Sequence, residues 1–77
     1  MKWFERTNPT WEYCELIYLG DEEYRLNFYG VAGVRQQAIP AQTRGQTLAR
    51  LGMEGWELVT STMHGAHETL YFKRRIP

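Results

Sequence analysis

The stretch Leu48-Ala49-Arg50-Leu51-Gly52-Met53-Glu54-Gly55-Trp56-Glu57-Leu58-Val59 reads as the end of a helix, a glycine-mediated reversal and a strand that opens on a tryptophan. Gly55 can take the positive φ that stops a helix. Leu48 and Leu51, three apart, share a helical face, while Arg44 and Arg50 can point to solvent. Thr43 lies three residues before Gln46, the spacing of a capping box whose side chains satisfy unpaired amides of the first turn. Together these features predict a helix over Thr43 to Glu54. Gly52 within it costs about 1 kcal/mol relative to alanine, and close approach of the helix backbone to a sheet is the expected compensation.

Working outward, Trp11 to Leu19 is rich in aromatic and β-branched residues and ends at the turn-forming Gly20-Asp21-Glu22. Tyr24, Leu26 and Phe28 alternate with Arg25 and Asn27, the period-two pattern of a half-buried strand. Gly30 and Gly33 bracket a short turn, and Val34 to Ile39 forms an edge strand that Pro40 stops. Beyond the helix, Trp56 to Met63 and Glu68 to Ile76 form a hairpin through His64-Gly65-Ala66-His67, with Gly65 suited to the first central position of a type II′ turn. Strict alternation then sets His64 opposite His67. It puts Val59, Ser61 and Met63 on one face with Phe72, Leu70 and Glu68, and Leu58 and Thr60 on the other with Lys73 and Tyr71.

The fold class expected is α+β: a mainly antiparallel five-stranded sheet, β-β-β-α-β-β, with one helix packed on one face. A crossover helix and pairing of the first strand with the last give the order 3-2-1-5-4. Residues 1–10, with Trp3, Phe4 and Asn8-Pro9, are expected to be an N-terminal arm, and residues 11–77 a single domain. A helix of about 12 residues is about 18 Å long and covers one side of such a sheet. Trp56, Leu58 and Tyr71, or the opposite set, then need other cover, and a second subunit is the simplest source.

Composition narrows the functional classes. A chain of 77 residues hides only about 63% of its surface on folding, so association would help it. Nine basic and nine acidic side chains give zero formal charge, without the broad positive footprint of a nucleic-acid binder. The longest apolar stretch, Leu16 to Leu19, is four residues, so no membrane span is expected. A lone Cys14 and no apolar secretory core near the N-terminus point to the cytoplasm.

Trp11-Glu12-Tyr13, the block from Leu51 to Val59 and the closing Phe72-Lys73-Arg74 together resemble a small bacterial family of uncharacterised domains. That family pairs a W-E-Y opening strand with a helix, an L-G-x-E-G-W-E-L-V block and an F-K-R close. The chain looks like a longer variant with a hairpin inserted from Asp21 to Pro40. The resemblance implies the fold and assigns no active site.

His64 and His67, with Glu68 adjacent, are the metal candidates, but two imidazoles fall short of the three or four ligands zinc requires, and Glu68 faces away from His67. Lys73-Arg74-Arg75 after Tyr71-Phe72 is a basic strand with aromatics, read as protection of a sheet edge rather than an RNA platform. Cys14 reads as a core thiol and Asp21-Glu22-Glu23 as a solvated turn. No nucleophile, base and charge stabiliser can be assembled, so neither an enzyme nor a cofactor is expected. The expected function is a small interaction module that self-associates through a sheet face as a homo-oligomer, a dimer in the simplest case. Its ligand or partner surface comprises Trp11, Tyr13, Trp56, Leu58, Tyr71, Lys73 and Arg74. The alternative is a binder of a small anionic or nucleotide-like ligand, or of single-stranded nucleic acid, between subunits. There aromatics would stack and Arg25, Arg44, Lys73 or Arg74 would pair with phosphate.

Overall fold

A computed structural model describes residues 10–20, 23–30, 33–40 and 43–76. The expected arm over 1–10 lies outside these residues apart from Thr10, as do Asp21 and Glu22 of the acidic turn. The elements run β1 (Trp11–Gly20), β2 (Glu23–Gly30), β3 (Gly33–Pro40), α1 (Arg44–Met53), β4 (Glu57–His64) and β5 (His67–Arg75). They form an α+β fold with one five-stranded sheet ordered β3-β2-β1-β5-β4, every neighbour antiparallel, as expected.

The order has a physical cause. The β1-β2-β3 meander ends at one edge of the sheet, whereas β4 begins at the other, so the chain must cross the whole sheet between them. The crossing element is the helix, whose apolar side lies over the inner strands. Leu16 pairs with Leu26 on one side and Leu70 on the other, and Cys14 pairs with Phe28 and Phe72, giving two apolar rows under the helix. Leu51 closes over them, and Cys14, Leu16, Leu26 and Leu51 are the most deeply buried side chains. Tyr24, Ile39, Trp56, Leu70 and Phe72 complete the core, with Tyr18, Phe28 and Leu48 packed at its margin.

The helix ends as the glycine pattern predicts. The Trp56 amide donates to the Leu51 carbonyl at 2.9 Å and the Gly55 amide to the Gly52 carbonyl at 3.1 Å. With Gly55 at φ 90° these are the paired bonds of a Schellman motif, and the accompanying apolar contact is supplied by Leu51 and Trp56, both in the core.

Three details differ from expectation. The capping box does not form: Thr43 is the N-cap, but its hydroxyl donates to the Pro40 carbonyl at 2.7 Å and so holds the β3–α1 connection rather than the first helical turn. Gly52 makes no close approach to the sheet, since a Cβ there would meet nothing within 4 Å. The β4–β5 register follows strict alternation from His64 to Thr60 and then breaks at a bulge, where Val59 is the extra residue and Leu58 rather than Val59 faces Phe72. One extra residue inverts the parity of a strand, so Leu58 falls on the helix side of the sheet instead of beside Thr60 and Lys73. Trp56, carried into the core by the helix-end motif, is 7% exposed and needs no second subunit to cover it.

These two glycines separate conformational from steric roles. Gly55→Ala forces an L-residue into positive φ and sets its Cβ 3.5 Å from the Arg74 Cδ, so a loss of about 1–2 kcal/mol is expected. Gly52→Ala, with open space around it, should raise stability by about 0.4–1 kcal/mol by restricting the unfolded chain. Urea unfolding of both variants measures the contrast.

Candidate functional site

Alternation along the inner strands sends one set of side chains away from the helix. Trp11, Tyr13, Glu15 and Ile17 of β1 share this open face with Arg25, Asn27 and Tyr29 of β2 and with Thr69, Tyr71 and Lys73 of β5. Tyr13 stands between Tyr29 and Lys73, and Glu15 between Asn27 and Tyr71. At the centre the Glu15 carboxylate accepts from the Tyr29 hydroxyl and from the Asn27 side-chain amide, the latter at 3.1 Å. The hydrogen bond to Glu15 raises the Tyr29 phenol pKa, with its small burial and the Glu15 charge adding to the effect. Lys73 lies over the Trp11 ring, with its Nζ 4.2 Å from the centroid. Around this polar centre Tyr13 is 51% and Tyr71 36% exposed, two large rings that the described residues leave partly open.

A second arrangement occupies the helix side, where β1 begins, β5 ends and the helix stops. The Arg74 Nε donates to Glu12 Oε1 at 2.6 Å and its Nη2 approaches the same oxygen at 2.5 Å, while Nη1 donates to the Glu54 carbonyl at 2.9 Å. The guanidinium also sits 4.4 Å above the Trp56 ring. One side chain thus neutralises a carboxylate on β1, satisfies a carbonyl at the negative end of the helix and stacks on the tryptophan that starts β4. Beside it opens a cleft of about 320 Å³ lined by Glu12, Phe28, Arg35, Trp56 and Arg74 among others. Phe28 and Trp56 form its aromatic floor, ring centroids 5.8 Å apart, and the Arg35 guanidinium lies 4.5 Å over Phe28.

The residues singled out from the sequence therefore divide. Trp11, Tyr13, Tyr71 and Lys73 come together on the open face. Trp56, Leu58 and Arg74 lie on the helix side, the first in the core, the second near the β4 edge and the third at the junction. Arg25 is on the open face, and Arg44 pairs with Glu68 at 3.0 Å, tying the start of the helix to β5. Lys73 and Arg74 do not guard an edge, because β5 is an inner strand between β1 and β4. His64 and His67 face each other across the hairpin, and among the described residues no three His, Cys, Asp or Glu side chains gather closely enough to hold a metal. Cys14 is buried, and burial pushes its thiol up to about 12. No helix among the described residues is long and apolar enough to cross a membrane.

Sequence reading overlooked Glu12, Glu15, Asn27, Tyr29 and Arg35. The signal for Glu15 was present: it is a carboxylate in the middle of an aromatic strand, at the parity of Trp11 and Tyr13, where a charge needs donors. Arg35 gave no such signal, since its role depends on which face of an edge strand it occupies. No family model, curated protein or solved structure matches the chain significantly.

Two measurements follow from this geometry. Arg74→Met keeps the packing stem but loses the ion pair, the carbonyl bond and the stacked charge, and should cost about 1–2 kcal/mol in urea unfolding, with Arg74→Lys recovering only part. The Cys14 thiol ionises near 9.0 when unfolded and near 12 when folded. Its contribution to stability is whole below the first value and is lost as pH rises toward the second. Iodoacetamide should leave Cys14 unmodified at about pH 8 in the native chain and alkylate it once urea unfolds the protein.

Proposed function

We propose that this protein is a non-enzymatic interaction module that self-associates by stacking the open face of its sheet on the same face of a second copy. The observation that carries this reading is the partial exposure of Tyr13 and Tyr71 around the Glu15–Asn27–Tyr29 centre, on the face opposite the helix. Aromatic rings with polar tips are enriched at such interfaces, and a two-fold arrangement lets one patch serve both copies.

The non-enzymatic reading is supported by the engagement of several reactive groups, the exposed His64 and His67 apart. The Cys14 thiol is buried and protonated, Glu12 is held by Arg74, Glu15 by Tyr29 and Asn27, and Glu68 by Arg44. The lone reduced thiol favours a cytoplasmic setting. A second reading is favoured by the two guanidinium groups at the cleft with the Phe28–Trp56 floor, where a small planar anion could stack and pair. A melting-temperature rise with nucleoside phosphates that Arg35→Gln abolishes would support that binding site, and no rise with any of them would dismiss it.

The association is tested by sedimentation analysis of the chain and of its Tyr13→Ser/Tyr71→Ser variant, which changes exposed rings and leaves the core untouched. The variant should lose one association step of the parent. An assembly of unchanged mass in the variant would refute stacking through this face.

A further inference from the structure

The two edges of the sheet are unlike. On β3, Arg35 projects from the strand and Pro40 ends it without an amide donor, both of which discourage pairing with another chain. On β4, all eight residues from Glu57 to His64 are exposed, and the six between them, Leu58-Val59-Thr60-Ser61-Thr62-Met63, carry no charge and no proline. Leu58 is 59%, Val59 54% and Met63 63% exposed, because the helix lies over the inner strands and stops short of this one. Among the described residues nothing but the bulge at Val59 interrupts this β-branched edge, and an edge of this length is a template for strand addition.

We infer that β4 pairs antiparallel with β4 of a second copy, joining two sheets into one of ten strands. Backbone direction sets the register. The closing pair of a two-residue hairpin, here His64 and His67, exchanges backbone hydrogen bonds within the hairpin, and alternation then turns the amides and carbonyls of Ser61 and Met63 to the open edge. The extra residue of the bulge, Val59, restores the outward phase at Leu58.

A two-fold axis through Ser61 makes every remaining pair consistent in face and chemistry. Ser61 meets Ser61, Thr60 meets Thr62 on the open side, Leu58 meets Met63 on the helix side, and Glu57 meets His64 on the open side. The bulge is what aligns the last two pairs. Without it, Leu58 would lie opposite His64 and Glu57 would pass beyond the strand. Both exposed apolar side chains of the helix side are then covered by each other. The one acidic residue of β4 stands across from the histidine at its other end, so no like charges meet. The arrangement closes on itself, since the guarded β3 edges end the ten-stranded sheet at both sides.

This contact is separate from the face-to-face association and does not require it. Ser61→Cys should form a disulfide-linked dimer under mild oxidation at least about tenfold faster than Gln36→Cys on the opposite edge, since paired strands bring the two Cα atoms within disulfide reach. Equal rates would overturn the register. Ser61→Lys sets two ammonium groups against each other at the axis and should remove one association step while leaving the remaining species folded, as its circular dichroism spectrum checks. An unchanged assembly mass in Ser61→Lys would overturn edge pairing. If both contacts operate, the Tyr13→Ser/Tyr71→Ser variant retains the edge dimer, Ser61→Lys retains the face dimer and the combined variant is a monomer, so failure of one is read independently of the other.

Discussion

The hydrogen bond from the Trp56 amide to the Leu51 carbonyl decides where the helix stops and in which direction the chain leaves it. Leu51, at one end of this bond, is fully buried over the Leu26–Leu16–Leu70 row, and Trp56, at the other, enters the core beside Phe28. Gly55 supplies the one backbone conformation that allows both. The Arg74 side chain then locks the reversal from outside, with its aliphatic stem against Gly55 and its charge on the Glu54 carbonyl, Glu12 and the Trp56 ring. Core, helix end and strand start are therefore coupled through a few atoms rather than through the length of the helix.

That coupling explains why the protein has an inside and two outsides. A ten-residue helix must carry the chain across five strands, and its buried face consists of little more than Thr47 and Leu51 with Leu48 beside them. It therefore covers the middle of one side. The opposite side keeps its partly exposed tyrosines, and the residues of β4 are all exposed. Burial favours filling such surface with protein rather than water, and the order of strands dictates which surface is left.

Two ion pairs serve the cohesion of the fold. Arg44–Glu68 at the start of the helix and Arg74–Glu12 at its end bind the helix to the sheet at both ends. The first is a partly exposed pair of modest worth, whereas the second gains from a shared carboxylate oxygen, a helix carbonyl and an aromatic face. Glu15 differs from Glu12 and Glu68, since it faces outward with neutral donors instead of a cation. This polar centre is set among the rings of Tyr13, Tyr29 and Tyr71.

Local pattern determined the elements and their order: period-two alternation from Tyr24 to Phe28, the glycines at the turns, and the spacing of Leu51, Gly55 and Trp56 require only neighbouring residues to be read. The antiparallel order follows from those elements because short connections and a single crossover leave few alternatives. Tertiary structure alone decided the rest. Whether Thr43 caps the helix depended on the Pro40 carbonyl being nearer than the first-turn amides, and whether Gly52 touches the sheet depended on how the helix is rotated. The face on which Leu58 falls depended on a one-residue bulge that no alternation rule reveals. The meeting of Glu12, Trp56 and Arg74 joins residues far apart in the chain. Sequence periodicity encodes which residues share a face, but the choice of which face is covered belongs to the packing of one helix against five strands, a property of the whole molecule.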